Sequence, residues 1–225
     1  MSSMDTQTNT PPFLIAIDGL SAAGKGTLGR KLADHYGFTF FDTGKLYRLV
    51  GFTCLSLDKD VNNEADVIDV AKEIVKNFDP KVLSHEILKS NEVGNAASCV
   101  ARYQPMRDLL ISLQRDTAFN APSGAILDGR DIGTVILPDA HVKFFVTADP
   151  QKRADRRIKE LQSLGIPCNQ ETILSDLIAR DHRDTTSETG KTFQADDAIL
   201  LDTSDLDIEQ TFDKAREIID QKYTV

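Results

Sequence analysis

The chain has 225 residues, of which 40% are hydrophobic, and a formal net charge of −9 at pH 7. This length suffices for one compact domain with a buried core. A protein that binds nucleic acid without sequence preference neutralises many phosphates with lysine and arginine, so the acidic charge argues against a nucleic-acid partner. Any binding of anions is therefore expected to be local.

The termini and the cysteines carry few signals. Residues 1–12 are polar, lack the basic and apolar regions of a signal peptide, and are expected to form a disordered lead. No apolar run approaches the roughly 20 residues that span a bilayer, so no membrane partner is expected. Cys54, Cys99 and Cys168 lie far apart, which favours reduced thiols over a zinc site or a disulfide framework. A soluble, cytoplasmic protein is predicted.

Five short apolar runs predict β-strands. They cover residues 13–18, 38–42, 125–128, 142–147 and 198–202. Continuous rather than alternating apolarity is typical of strands that are covered on both faces. Helical signals separate the runs: Asn62-Asn63-Glu64 begins one helix, Asp149-Pro150 begins another that Gly165 ends, and a last helix is predicted over 208–222.

The alternation of strands and helices predicts the fold class. It favours an α/β fold with a five-stranded parallel sheet flanked by helices and right-handed crossovers. The core is expected to comprise residues 13–42, 123–149 and 195–225. Residues 43–122 contain only helical patterns, too many for one crossover, and are predicted to form an inserted lobe. Residues 150–194 are predicted to form a hinged cover, and all of 13–225 a single domain.

The stretch GLSAAGKGT, residues 19–27, follows the first strand and precedes a helical pattern. Its glycines allow the backbone to wrap around an anion, Lys25 supplies charge, and the following helix adds its positive N-terminal end. This is a P-loop with one glycine inserted before Thr27, whose hydroxyl is predicted to bind Mg²⁺. The predicted ATP-phosphate residues are Gly19, Leu20, Ser21, Ala22, Ala23, Gly24, Lys25, Gly26 and Thr27.

A P-loop by itself leaves several classes of protein open. A GTPase is disfavoured because the sequence has no N-K-x-D motif. A motor-type ATPase stays open because Asp128 ends a predicted strand, as a Walker B carboxylate does. A kinase for a nucleoside monophosphate needs no general base, because its acceptor phosphate has a second pKa of about 6 and is already largely ionised. It needs positive charge instead, to bring two anions together.

Arginines occur in short groups that meet this need. They are Arg48 in DTGKLYR, Arg107 in QPMR, Arg130 in LDGRD, and Arg180 and Arg183 in IARDHRD. Arg48 and Arg130 lie just after predicted strands, at the edge where open α/β sheets bind ligands. Three further arginines, Arg153, Arg156 and Arg157, follow Pro150 on one predicted helix. Arg153 and Arg156 are predicted to contact ATP, whereas an exposed face explains Arg157 equally well.

Taken in order, GLSAAGKGT, DTGKLYR, NAAS, LDGRDIGT, PDAHVKFFVTA and RDHRD resemble the bacterial cytidylate kinases over nearly the whole chain from residue 14. The resemblance implies a P-loop NTPase fold with a helical insertion that binds the nucleoside monophosphate and a short lid. It implies phosphorylation of CMP or dCMP by ATP with Mg²⁺. A kinase of this class completes its site within one chain, so a monomer is expected.

The resemblance also implies roles for individual residues. Thr43, Ser98, Arg107 and Asp131 line the cytosine pocket; Arg48 and Arg130 bind the acceptor phosphate; Arg180 and Asp184 face the sugar; and Lys25, Arg130 and Arg183 stabilise the transferring phosphoryl group. Cytosine offers an amino donor that Asp131 can accept and ring acceptors that Arg107 can satisfy.

Two departures and two rival functions accompany the resemblance. Leu20 stands where the family often has proline. Ser187 stands where the family commonly has an arginine that binds phosphate, and Lys191 is a candidate replacement. The rivals are another small P-loop kinase, for AMP, UMP or dephospho-coenzyme A, and a nucleotide-binding regulatory module that transfers nothing.

Overall fold

The computed structural model of the protein describes residues 11–163 and 165–223. In this part of the chain one sheet of five parallel strands has the order β2-β3-β1-β4-β5. The strands are β1 (Phe13–Gly19), β2 (Thr39–Asp42), β3 (Gly124–Asp128), β4 (Val142–Thr147) and β5 (Ile199–Asp202). The parallel sheet is confirmed. Residues 1–10 of the predicted lead lie outside the described residues.

Helices connect and cover the strands. They are α1 (Lys25–Tyr36), α2 (Gly44–Ser56), α3 (Glu64–Lys76), α4 (Asn91–Val100), α5 (Gln104–Phe119), α6 (Pro150–Ser163), α7 (Gln170–Thr186) and α8 (Ile208–Asp220). Two 3₁₀ turns precede α4, at Pro80–Ser84 and Glu86–Lys89, and a π-turn at Ile132–Ile136 follows β3. None of the described helices is long and apolar enough to cross a lipid bilayer.

The helices begin where side chains can satisfy their first amide groups. Asn63 caps α3 and Asn169 caps α7, each by accepting hydrogen bonds from two backbone amides of the first turn. Asp207 and Gln210 form a reciprocal capping box at the start of α8. Asp149 caps α6 by accepting from the amides of Gln151 and Lys152, so the helix starts predicted at Asn63 and Pro150 are confirmed.

Both faces of the sheet are buried, as the apolar strands predict. Leu14 and Ala16 of β1 face a core that includes residues of α2 through α5, whereas Ile15 and Ile17 face a core built with α1 and α8. Alternate residues of a strand point to opposite faces, which explains the division. The helices of residues 43–122 thus pack directly on the sheet and share its core.

Helices α2 and α4 approach each other closely at Gly51. A Cβ atom at this position would lie 2.8 Å from the backbone nitrogen of Ala97 and 2.9 Å from the backbone carbon of Ala96. Both of these atoms belong to the backbone of α4, so they cannot move aside as the end of a flexible side chain could. The small residue therefore fixes α4 against α2, and α4 carries Ser98 to the cavity described below.

We predict that Gly51→Ala destabilises the protein although alanine favours helix. The intrinsic preference is worth about 1 kcal/mol, but forcing an extra methyl group into this contact costs about 1–3 kcal/mol. Urea unfolding should show a lower midpoint than wild type. Thr53→Ala, on the same helix, removes atoms without adding any and is the control. A Gly51→Ala midpoint at or above that of wild type would contradict the tight contact.

Candidate active site

The loop after β1 has the backbone of an anion-binding turn. Gly19, Ala22 and Gly24 have φ angles of 132°, 58° and 95°, and α1 begins at Lys25. Left-handed residues in a turn can direct successive N–H groups toward one anion, and the helix start adds partial positive charge. Gly19 is required by close approach, because a Cβ atom there would collide with the backbone of Val146 on β4.

Three contacts hold this loop from different elements. The amide of Leu20 donates to the carbonyl of Val146 at 3.2 Å. The Thr203 hydroxyl, just after β5, donates to the carbonyl of Ala23 at 3.0 Å. Arg153 of α6 donates to the carbonyl of Ser21 at 3.1 Å. The loop is therefore preorganised, so a phosphate chain that binds it does not have to order it.

Lys25 and Asp128 form a buried pair of opposite charges at the carboxyl end of the sheet. Their side-chain nitrogen and oxygen lie 3.9 Å apart, and the ammonium also donates to the carbonyl of Leu20 at 2.8 Å. Burial, followed by repulsion from Arg130, lowers the pKa of Lys25 to about 8. Burial raises the pKa of Asp128 to about 6, and the charge of Lys25 opposes this. Shifted pKa values of this kind are typical of functional sites, and a highly charged ligand would interact strongly with both groups.

Two cavities meet at this pair. The first, of about 390 Å³, lies between the sheet edge, the helices of residues 43–122 and α7. The second, of about 940 Å³, follows the phosphate loop toward the turn after β5. Lys25, Asp128, Arg130 and Arg157 line both. Two anionic ligands bound in the two cavities would therefore face each other across Lys25 and Arg130.

In the first cavity the two predicted base-binding residues bind each other. Arg107 donates to the carboxylate of Asp131 at 2.5 Å, and their side chains are 6% and 7% exposed. The guanidinium also lies over the ring of Tyr47, 5.3 Å from its centre. A buried ion pair of this kind presents a hydrogen-bond donor beside an acceptor.

The predicted phosphate and sugar residues are also brought together. Arg130 donates to Asp184 at 2.8 Å, and the Nε atom of Arg180 lies 3.8 Å from the same carboxylate oxygen. Burial and repulsion from Arg130 lower the pKa of Arg180 to about 10. Arg48 donates to the backbone carbonyls of Leu88 and Ser90. All four charged side chains line the first cavity.

Thr43 and Ser98 line the same cavity, but their hydroxyl groups are engaged elsewhere. The Thr43 hydroxyl donates to the carbonyl of Asp128 at 2.8 Å, and that of Ser98 donates to the carbonyl of Gly94 at 3.2 Å. Each hydroxyl oxygen still has lone pairs with which it can accept a bond from a ligand.

Arg153 and Arg156, the two predicted ATP contacts on α6, have different surroundings. Arg153 is 1% exposed and donates to the carbonyls of Ala148 and Ser21 and to Asp181. Arg156 is half-buried, donates to the hydroxyl and carbonyl of Thr203, and lines the second cavity. Both arginines donate to the protein, but Arg156 lines the second cavity whereas Arg153 lines neither cavity.

The segment after α7 closes one end of the first cavity. The Thr189 hydroxyl donates to the carbonyl of Arg102 at 3.1 Å, and Gly190 packs against the guanidinium of Arg107. Ser187 lines the cavity and accepts the amide of Thr189. Arg183 is exposed and lines it too, but Lys191, among the described residues, does not.

Sequence reasoning missed several side chains of this site. Asp42 lies beside Asp128 in the register of β2 and β3 and lines both cavities. Tyr47 has a buried hydroxyl with no hydrogen-bond partner among the described residues. Asp18 is buried directly behind the phosphate loop. The sequence does contain signals for these residues. Asp18 and Asp42 are carboxylates at the ends of apolar strands, and Tyr47 is the aromatic residue between the lysine and the arginine of DTGKLYR.

Oxygen atoms suited to Mg²⁺ line the second cavity, and those of Asp42 and Asp128 line the first as well. The exposed Thr27 hydroxyl is in the first turn of α1, and the carboxylates of Asp42 and Asp128 end adjacent strands. Mg²⁺ takes few protein oxygens and completes its shell with water and substrate phosphates. No cluster of three or more His, Cys, Asp or Glu is found in residues 11–163 and 165–223. The donor set fits a metal that arrives with a nucleotide.

Comparison with known proteins identifies relatives of the whole chain. A family model described as cytidylate kinase matches residues 15–221. A cytidylate kinase of Rhodopseudomonas palustris strain BisB5 is 46% identical over 208 residues, which are 92% of this chain and 96% of the relative. That of Azorhizobium caulinodans is 46% identical over 209 residues, covering 93% of this chain and 98% of the relative.

Solved structures share the fold at much lower identity. An uncharacterized protein from Eubacterium ventriosum is 16% identical with a TM-score of 0.53, covering 93% of this chain and 98% of that one. A Thermus thermophilus protein is 16% identical with a TM-score of 0.50, covering 96% and 100%. These two likenesses show the fold and nothing further.

We predict that replacing only one member of the Arg107–Asp131 ion pair strongly destabilises the folded protein. Arg107→Leu leaves a buried carboxylate without its partner, which costs about 3–5 kcal/mol. The double variant Arg107→Leu/Asp131→Leu should recover much of this loss in urea unfolding. Arg102→Leu removes an exposed arginine nearby and should change stability by less than about 1 kcal/mol. If Arg107→Leu and Arg102→Leu lower the stability equally, the buried ion pair contributes no more than an exposed arginine, and the prediction is wrong.

Proposed function

The chain belongs to the cytidylate kinase family, and from that premise we propose that it transfers the γ-phosphoryl group of ATP to CMP or dCMP, giving ADP and CDP or dCDP. The observation that carries the proposal is the meeting of two cavities at Lys25, Asp128 and Arg130. Such an arrangement holds a donor and an acceptor phosphate end to end, as an in-line displacement requires.

ATP is proposed to occupy the second cavity. The phosphate loop from Gly19 to Thr27 binds its phosphates, and its base and sugar extend toward Arg156 and the turn at Leu206. Lys25 then exchanges its contact with Leu20 for phosphate oxygens. Arg153 supports this side indirectly, because it ties Ser21 of the loop to Asp181 of α7. Its proposed role changes from contact with ATP to support of the loop.

CMP is proposed to occupy the first cavity, with its base against Arg107 and Asp131. The amino group of cytosine donates to Asp131 while its ring acceptors receive bonds from Arg107, so one edge of the base can bridge both members of the existing pair. Uracil has a carbonyl in place of the amino group and would face the carboxylate. Thr43 and Ser98 border the base, and Asp184 with Arg180 faces the sugar hydroxyls.

The acceptor phosphate is proposed to bind Arg48 and Arg130. Both arginines line the first cavity, and Arg130 also lines the second. A phosphate with a second pKa of about 6 is already a nucleophile near neutral pH, so no side chain has to remove a proton. The protein's task is to orient two anions, exclude water and offset their repulsion.

Positive charge around the transferring phosphoryl group comes from Lys25, Arg130 and Arg183. Thr27, Asp42 and Asp128 would hold Mg²⁺, which when bound neutralises phosphate charge and orients the triphosphate. Where Ser187 brings no charge, Arg157 and Arg183 line the same cavity and are proposed to supply it in place of Lys191. A guanidinium group also offers phosphate a forked pair of donors, which lysine lacks.

The division of labour among the parts of the chain follows from these placements. Residues 43–122 bring the monophosphate pocket and residues 150–194 form the lid over both cavities. An active monomer stays a prediction from the sequence, as does the cytoplasmic location.

We predict that ATP with Mg²⁺ releases ADP rapidly when CMP or dCMP is added, and at least on the order of 100-fold more slowly with UMP, because Asp131 cannot hydrogen-bond a carbonyl. AMP and dTMP, each assayed separately, should also be poor acceptors. Preference for another monophosphate would retain a P-loop kinase but refute the base pocket. Nucleotide-induced stabilisation with no turnover on any acceptor would favour the regulatory module.

Lys25→Ala should lower kcat by about 100-fold or more, since it removes a cation from the transferring phosphoryl group. Lys214→Ala, which deletes an exposed lysine of α8 that lines neither cavity, is the matched control. Circular dichroism verifies that both variants are folded. Near-full activity of a folded Lys25→Ala variant would refute the assignment of Lys25.

We also predict an alkaline limb in the pH profile of kcat/KM for ATP. The pKa of Lys25 in the free protein is about 8, so the charged ammonium that binds phosphate is lost as pH rises through that value. The profile of kcat should lack this limb, because bound triphosphate stabilises the ammonium. Lys25→Arg stays charged and should remove the limb from kcat/KM. Persistence of the limb in that variant would assign it to another group.

A further inference from the structure

Asp18 is a buried carboxylate for which the proposed chemistry has no use. It is the penultimate residue of β1, directly before Gly19 of the phosphate loop, and it is 5% exposed. None of the ion pairs found among the described residues includes it. A buried charge without a counter-ion is costly unless hydrogen bonds compensate it. The hydrogen bonds that the Asp18 carboxylate accepts therefore indicate the role of the residue.

Two backbone amides supply that compensation. The amide of Ile132 donates to one carboxylate oxygen and the amide of Gly133 to the other, each at 2.7 Å. These are the first two residues of the π-turn Ile132–Ile136. The first amides of a helical turn have no partner within it, and their partial positive charge favours an anion. Asp18 thus caps, from a different strand, the turn that follows Asp131.

A second contact ties the other end of the same short segment to β1. The amide of Gly129 donates to the carbonyl of Ile17 at 3.0 Å. Residues 129–133 are therefore held to β1 at both ends, by Ile17 before Arg130 and by Asp18 after Asp131. Between the two attachments lie only Arg130 and Asp131, the residues proposed to bind the acceptor phosphate and the base.

We propose that Asp18 is a positioning residue that holds the acceptor-binding pair Arg130 and Asp131 in register with the phosphate loop. Because Asp18 precedes Gly19 directly, one residue of β1 fixes the spacing between the donor loop and the acceptor segment. In-line transfer depends on that spacing, since a misplacement of about 1 Å can cost on the order of 100-fold in rate. The inference rests on the proposed kinase function.

The first test is Asp18→Asn, which keeps the size of the side chain. An amide has one oxygen acceptor and a nitrogen that donates, so only one of the two backbone bonds survives. We expect KM for CMP to rise about tenfold and kcat to fall about tenfold, with KM for ATP within about twofold of wild type. Equal increases in both KM values, or an unchanged KM for CMP, would overturn the proposal.

A control separates positioning from general stability. Val142→Ala removes buried volume from β4 at the residue that pairs with Ile15 of β1, three residues before Asp18. It should lower the melting temperature but leave both KM values unchanged below that temperature. If Val142→Ala reproduces the split between CMP and ATP, the effect of Asp18→Asn is a consequence of lost stability and the proposal fails.

Amide hydrogen exchange provides a readout that does not require turnover. In Asp18→Asn the amide that loses its acceptor, that of Ile132 or that of Gly133, should exchange at least tenfold faster, while that of Gly129, bound to Ile17, keeps its protection. Unchanged exchange at both would refute the attachment. If Asp18→Asn does not fold, Asp18→Ser, whose hydroxyl can accept one amide and adds no fixed donor, takes its place.

The two proposals can fail separately. If the wild-type protein transfers phosphate to none of the monophosphates, the kinase proposal fails, whatever exchange shows at residues 132 and 133. If it phosphorylates CMP but Asp18→Asn shows no selective loss for CMP, the kinase stands and the positioning role of Asp18 is rejected.

Discussion

The site depends on keeping many positive charges together in one cleft before any phosphate is present. Each deeply placed cation has a protein acceptor: Lys25 faces Asp128, Arg107 binds Asp131, Arg130 binds Asp184 and Arg153 binds Asp181. Removing such a cation from water without a partner would cost several kcal/mol. The attraction to the paired carboxylate offsets much of this cost. The carboxylates therefore allow the cleft to exist in the folded protein, and bound phosphates would take over part of their role.

The same arrangement explains why the site lies where it does. In a parallel sheet all strands end at one edge, so the loops after β1, β2 and β3 bring Lys25, Thr43 and Arg130 together although they are distant in sequence. The strand order places β1 between β3 and β4. The phosphate loop is thus central, with the proposed acceptor segment on one side and the supports from β4 and β5 on the other.

Rigidity and motion are divided between the two sides. The phosphate loop is held by Val146, Thr203 and Arg153, which are parts of three different elements. The segment after α7, in contrast, touches the opposite wall of the first cavity through a hydrogen bond from Thr189 and the contact of Gly190 with Arg107. A few contacts of this kind can open at low cost, which fits the proposed lid, a segment that would admit nucleotides and then exclude water.

Local patterns in the sequence determined the five strands, the phosphate loop, the helix starts at Asn63 and Pro150, and the family. Each of these depends on residues within one short segment, where periodicity, capping and glycine placement act directly. The tertiary structure decided which charges meet. The pairing of Arg107 with Asp131, the burial of Arg153 beneath the loop, and the two amides bound by Asp18 all join residues more than 20 positions apart. Such contacts depend on the order of the strands and the packing of helices between them, and no local pattern encodes either.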